Sequence, residues 1–430
     1  MRRFLLGFGL AFAARLPFGV PLMLKGEFNP TTPDAAGYYN LAKNLACGRS
    51  FSLSPEPPYE PDAFRTPGYP LLLAACFKLL GSDYRVAMLV NYALSGLTAG
   101  LLAAEFGLGA GALWALNPLS LLWDQEPMTE PLFALLTVIA LLALRRKGAW
   151  ASALVGTAWG LGALTRPVGL LVPLFGVWFL KSWKERALAL ASFGALASPW
   201  ALRNWALWHE PFFSTVPWVN LSYYNAASLV GELEGVGHRE AARRLFNEAS
   251  RRFGWGLEAE RELDIWVISE NPTAWRQVSE VALEKILEHP WLYLRLHLVG
   301  DLGALFPVNP RRVLWLYGIR RGERTGSAPE LFKILFKNGP AAFFKRVAGT
   351  LPWWALLFLA YAVIYQVFFY LSAALGFWRR RRERWALFAA ASALYFALVP
   401  GPLAAPRHRY PADALLASLT GISPPSTGRR

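Results

Sequence analysis

Residues 130 to 147 read EPLFALLTVIALLALRRK. One acid, Glu130, opens the segment, an unbroken uncharged run follows, and Arg145, Arg146 and Lys147 close it. A run of this length that ends on clustered cations reads as a helix crossing a bilayer, with the cations on the cytoplasmic side. The same grammar recurs along the chain, so this stretch sets both the fold class and its orientation.

Of the 430 residues, 54% are hydrophobic, 14% aromatic and only 17% charged; the mean hydropathy is +0.28. That is too apolar for an ordinary soluble enzyme. The net charge of +15 would also suit a nucleic-acid binder, but the cations sit at the ends of apolar runs. Positive-inside topology and contact with anionic lipid account for them, and no nucleic-acid partner is expected. Cys47 and Cys76 give no disulfide framework, and His209, His238, His289, His297 and His408 are scattered, so neither cofactor nor metal is expected.

Charge asymmetry orders the rest. Arg2-Arg3, Arg145 to Lys147, Lys181 to Arg186, Arg379 to Arg384 and Arg429-Arg430 are read as cytoplasmic, so the number of spans between consecutive clusters is even. The N-terminal apolar run to about Leu24 has no clear cleavage site and is read as an uncleaved first span. Residues 25 to 67 then lie outside. The apolar run 68 to 80 is read as an interfacial helix, because a crossing there would put Arg145 to Lys147 outside. About ten spans result: 4–24, 85–105, one rising to Asn117, 130–144, two flanking Thr165-Arg166-Pro167, one ending at Pro199-Trp200, 352–377, 386–400 and 410–422. The expected architecture is an all-α polytopic membrane protein of the inner membrane. It has an N-terminal transmembrane module (1–200), a mostly α extracytoplasmic domain (201–350) and C-terminal transmembrane helices (351–430).

The polar residues that break this pattern gather at the outer ends. Asp34 precedes Tyr38, Leu41, Ala42 and Leu45 at helical spacing; it reads either as an N-cap or as a carboxylate that takes a proton from an attacking hydroxyl. Asp124, Glu126 and Glu130 lie in the second outer loop. Glu130 reads equally as a functional acid at the membrane surface or as a charge favouring a helix N-terminus. Arg65, Arg166, Arg203 and the cluster Arg407-His408-Arg409-Tyr410 face outward against the positive-inside trend. Snorkelling or pairing with acids accounts for a single arginine, whereas Arg407 and Arg409 together suit a phosphate held by charge-assisted hydrogen bonds.

The order of these features resembles the GT-C glycosyltransferases, in the branch related to protein O-mannosyltransferases and the lipid A aminoarabinose transferase. The resemblance rests on Asp34 with Tyr38-Tyr39-Asn40-Leu41-Ala42 and Gly48, on Arg65-Thr66-Pro67-Gly68-Tyr69-Pro70, and on Met128-Thr129-Glu130-Pro131-Leu132-Phe133. Leu164-Thr165-Arg166-Pro167, Pro199-Trp200-Ala201-Leu202-Arg203-Asn204-Trp205 and Arg409-Tyr410-Pro411 continue it.

What the resemblance implies is an inverting transfer from a polyprenyl-phosphate-linked sugar to an acceptor hydroxyl on a glycan, lipid or protein, on the extracytoplasmic face. Asp34 and Glu130 would be the catalytic acids. Tyr38, Tyr39, Arg65, Arg166, Arg203, Arg407, His408, Arg409 and Tyr410 would bind the donor's sugar and phosphate, and no metal would be essential. The chain departs from the pattern at Ala35, where many relatives have a second acid, and through most of 201 to 350. The alternatives are a lipid or sugar transporter or flippase, which calls for polar mid-span residues and internal repeats, and a non-catalytic protein that kept the fold.

Overall fold

The computed structural model describes residues 1–26, 30–255, 271–305, 308–316 and 328–421. The Arg429-Arg430 cluster lies outside the described residues. Helices run in the order α1 (Arg2–Lys25), α2 (Pro33–Ala46), α3 (Gly68–Leu80), α4 (Tyr84–Phe106), α5 (Leu108–Ala115), α6 (Pro118–Trp123), α7 (Glu130–Leu144) and α8 (Ala149–Thr165). After a 3₁₀ turn (Pro167–Leu171) come α9 (Val172–Gly176), α10 (Trp183–Trp208), α11 (Val216–Val219), a π-helical turn (Asn220–Ala226), α12 (Ala227–Glu234) and α13 (His238–Phe253). The chain closes with α14 (Pro272–Glu288), α15 (Pro290–Ala304), α16 (Pro310–Leu316), α17 (Ala328–Ala348), α18 (Trp353–Arg380), α19 (Arg384–Leu398), a 3₁₀ turn (Pro406–Arg409) and α20 (Tyr410–Leu419). The described residues contain no strand, so the all-α expectation holds.

Three of the described helices, α1, α4 and α18, are long and apolar enough to cross a membrane. On α18 the residues Leu357, Ile364, Phe368, Leu371, Leu375 and Trp378 are each at least 59% exposed. They recur at spacings of three, four or seven residues and so form one stripe. An aliphatic and aromatic stripe of that length is costly against water and neutral against lipid tails. The other expected spans are shorter or interrupted. Helices α5 and α20 have 8 and 10 residues, roughly 12 and 15 Å by the α-helical rise, well short of a hydrocarbon core. The segment after Arg166 is broken into 3₁₀ and α pieces at Pro167 and Pro173. Helix α10 has the length, but it opens on Lys184, Glu185 and Arg186 and runs past Pro199 to Trp208.

Small residues let the helices touch backbone to backbone, the packing expected where lipid removes the hydrophobic drive. A Cβ on Gly156 of α8 would sit 2.0 Å from the Ala189 carbonyl of α10. Helix α3 forms as expected over 68 to 80 and packs on α2, with Tyr38 edge-on to Tyr69 and Tyr39 edge-on to Phe77.

The described residues between 201 and 350 do not share one environment, and Val308, Val313 and Val347 pack with Leu122 and Ala355. Helices α12 to α14 share a core of their own, built on Leu229, Val230, Leu245, Phe246, Val278 and Ile286. Helix α15 instead clamps the segment before α20. Asp301 accepts the Gly401 amide at 3.0 Å, His297 pairs with the Leu398 carbonyl at 2.7 Å, and a Cβ on Gly300 would meet the Gly401 carbonyl at 2.3 Å. That clamp fixes the turn carrying Arg407.

Candidate active site

Asp34 does not cap its helix. The N-cap of α2 is Thr32, whose hydroxyl accepts the Ala35 amide at 3.2 Å, and Pro33 fills the first helical position. The cap reading of Asp34 is therefore corrected by a residue two places earlier. With the cap taken, the half-buried Asp34 carboxylate points at cations: Arg407 Nη1 lies 2.8 Å from one oxygen and Arg65 Nη2 4.0 Å from the other. Burial alone would push its pKa up. Arg407, Arg65, the hydrogen bond from Arg407 and the more distant Arg166 outweigh it, so the carboxyl sits below the usual range.

Each arginine has its own support. Arg65 is 2% exposed; its amide donates to Asp62 at 2.6 Å, its side chain reaches the same carboxylate at 3.4 Å, and its guanidinium lies over the Tyr38 ring at 5.5 Å. Gly37 makes room for it, since a Cβ there would come within 2.3 Å of the guanidinium carbon. Arg407 lies 5.5 Å from the Trp123 ring centroid. Burial disfavours its charged form, but Asp34 and Glu130 more than compensate, so its pKa is raised.

Glu130 is fully buried at the start of α7 and forms an ion pair with Arg166, 2.6 Å from its Nη1. Arg166 donates a hydrogen bond to the Thr129 hydroxyl at 3.0 Å, and that hydroxyl donates in turn to Glu130 Oε2 at 3.3 Å. Arg166 carries its charge to the end of α8 because Pro167 stops the helix there. Asp34, Glu130, Arg65, Arg166 and Arg407 thus come together, with Tyr38 among them. Burial first, then Asp34, push the Tyr38 phenol up to about 12.

Other expected site residues face elsewhere. Tyr39 donates to the Ser82 carbonyl at 2.5 Å and packs on Phe77, away from Asp34. Arg203 stands one layer out: it donates to the Asp62 carbonyl at 3.0 Å and stacks 4.5 Å over Trp200, so it braces the loop that supports Arg65. Arg409 is 1% exposed and donates to the Ala304 carbonyl and the Gln366 side chain, at 2.6 and 2.9 Å. Tyr410 donates to Asp124 at 2.5 Å. The pairing of Arg407 with Arg409 on one phosphate is corrected on that ground: Arg409 and Tyr410 turn into the protein. His408 accepts the Ala405 amide through Nδ1 at 3.0 Å. Burial, then Arg407 and Arg166, hold its pKa well below the imidazole norm, so it offers a neutral ring and no charge.

Some contributors are unmarked in the sequence. Arg15, wholly buried in α1, meets Asp124 at 2.5 Å, and Asp124 also accepts from Ser95 and Tyr410, both at 2.5 Å. Asp124 is therefore the hub of a buried network rather than a site acid. Glu126 likewise ties the two loops together, accepting the Thr31 amide at 2.5 Å and Arg312 at 2.7 Å. Tyr224, on the π-helical turn, feels both Arg407 and Asp34; such turns often occur at functional sites. Among the described residues, no three His, Cys, Asp or Glu side chains form a metal-binding group.

No family model matches the chain, and no curated protein is similar to it. Among solved structures, the crystal structure of ArnT from Cupriavidus metallidurans bound to undecaprenyl phosphate has a TM-score of 0.40 and 16% identity, over 96% of this chain and 77% of that one. The same protein in its apo state has a TM-score of 0.36 and 14% identity, over 97% and 76%. At such identities and TM-scores, neither says what this chain does.

Proposed function

We propose that the chain is an inverting membrane glycosyltransferase of the GT-C type. It takes a sugar from a polyprenyl-phosphate donor on the extracytoplasmic face and gives it to a hydroxyl of a glycan, lipid or protein. One observation carries the reading: the Asp34 carboxylate, released from capping duty by Thr32, stands 2.8 Å from Arg407 and 4.0 Å from Arg65. A carboxylate and two or more guanidinium groups are what the two halves of this reaction need.

In the proposed step, the acceptor oxygen attacks the anomeric carbon and its proton passes to Asp34. The bond from that carbon to the phosphate oxygen breaks, and the electron pair leaves with the polyprenyl phosphate. Arg407, with Arg65 and Arg166 behind it, meets the charge that develops on the phosphate. An incoming phosphate also competes with Asp34 for Arg407. Once Arg407 turns to the phosphate, Asp34 loses the partner that most depresses its pKa and becomes a stronger base, so donor binding and base activation are linked. Glu130 keeps Arg166 oriented through its 2.6 Å pair. Tyr38 flanks the sugar position, and the step invokes no metal or other cofactor.

The test is reconstitution of the full chain in liposomes with polyprenyl-phosphate hexoses and pentoses, following free polyprenyl phosphate by mass spectrometry. Release that depends on an acceptor-containing membrane extract is expected. Binding of every donor without release from any would favour a non-catalytic protein.

A further inference from the structure

A second polar space lies at the other end of α7. Glu130 opens that helix and Leu144 ends it, so the two ends are roughly 22 Å apart by the α-helical rise. Beyond Leu144 is a cavity of about 410 Å³ lined by five cations, Arg145, Arg146, Lys147, Lys181 and Arg384, against two carboxylates, Glu185 and Glu383. Both carboxylates are already engaged: Glu185 accepts the Lys181 amide at 2.8 Å, and Glu383 accepts the Trp385 indole N–H. Arg145 and Arg146 share Glu105. Among the described residues no carboxylate pairs with the side chains of Lys147, Lys181 or Arg384.

The backbone adds to the same sign. Helix α8 starts at this cavity with Gly148 as its N-cap, and α19 starts there with Glu383; neither has a side-chain cap. The N-caps Gly148 and Glu383 both line the cavity, and a helix N-terminus carries partial positive charge. Ser152 and Trp385 also line the cavity. Cations gathered around one cavity repel one another, and an anion between them relieves that repulsion. The volume suits a phosphate headgroup with its hydration.

We propose that this cavity binds a phosphate-bearing anion, by charge-assisted hydrogen bonds from Lys147, Lys181 and Arg384. The phosphate can come from an acidic lipid headgroup or from free phosphate. The site is independent of the cluster around Asp34.

The test uses the purified full chain in a neutral detergent, with thermal unfolding followed against dihexanoyl phosphatidic acid, inorganic phosphate and dihexanoyl phosphatidylcholine. Phosphatidic acid raises the Tm saturably, and the triple variant Lys147→Gln/Lys181→Gln/Arg384→Gln shifts the midpoint of that response at least tenfold upward. A response lost in Arg407→Ala but kept in the triple variant would place the phosphatidic acid at Asp34 and overturn the proposal. If the triple variant fails to fold, the single variants Lys147→Gln and Arg384→Gln, both at exposed positions, each weaken the response severalfold. Inorganic phosphate matching phosphatidic acid assigns the site to free phosphate; a midpoint at least tenfold tighter for phosphatidic acid assigns it to lipid. An equal response in parent and variants, or an equal response to phosphatidylcholine, overturns the proposal.

Discussion

Arg407 reaches the Asp34 carboxylate at 2.8 Å across almost the whole length of the chain, joining the first helix after α1 to the turn before the last helix. The pair is half-buried, and its geometry is set from both sides. Thr32 starts α2 so that Asp34 projects from its first turn, and α15 holds the chain ahead of the Arg407 turn, at Gly401 through Asp301 and at Leu398 through His297.

The pair predicts a pH dependence. Asp34 is held below its ordinary pKa, so its contribution to stability is present above the unfolded carboxylate value of about 3.9. That contribution is lost as pH falls through the lower folded value. Arg407→Ala removes the main opposing charge and leaves burial in command. The acid limb of the transfer rate then moves to higher pH and the KM for donor rises, while Arg407→Lys moves both less. An unmoved acid limb in Arg407→Ala would separate Asp34 from the titration.

Gly37 offers a steric test of the Arg65 position. In Gly37→Ala the new methyl would lie within 2.3 Å of the guanidinium carbon, so Arg65 must move while α2, an alanine-tolerant helix, keeps its fold. The expected result is a transfer rate at least tenfold lower, with a cost in stability of about 1–3 kcal/mol from overpacking. Transfer at the parental rate would mean that Arg65 need not sit against Gly37.

The buried Arg15 and Asp124 pair gives a stability test. Asp124→Asn leaves the Arg15 guanidinium inside the bundle with no counter-charge, a change that costs about 3–5 kcal/mol. Arg15→Met/Asp124→Asn together are expected to destabilise less than Asp124→Asn alone, read as thermal unfolding in detergent. Additive losses would show that the two side chains act separately.

The proposed step predicts that a chelator leaves transfer unchanged. Full activity after extensive treatment with EDTA is the expected result. Loss of activity restored by one divalent cation would place a metal in the reaction.

Much of the frame was legible in the sequence because lipid imposes simple rules. The long apolar runs of α1, α4 and α18 are visible in composition alone, and α3 forms over the 68 to 80 run that charge parity set apart from the spans. The site was legible in part, since Asp34, Glu130, Arg65, Arg166 and Arg407 are out of place for a membrane protein at those positions. What could not be read was direction. Arg407 and Arg409 are two residues apart in one 3₁₀ turn, and only the fold sends one to Asp34 and the other to Ala304 and Gln366. Thr32 takes the cap that Asp34 could have filled, a competition between neighbours that composition does not rank. Arg15 is a single charge in an otherwise apolar run, and its partner Asp124 lies 109 residues away.

The measurement closest to the centre of the account is sugar transfer from a polyprenyl-phosphate donor by Asp34→Asn beside the parent chain, with unfolding temperature and donor binding recorded on the same samples. Asparagine keeps the shape and removes the base, so a fall in rate of about 10²–10⁴ is expected with folding and donor binding retained. Transfer at the parental rate by a folded Asp34→Asn chain would contradict the role assigned to this carboxylate.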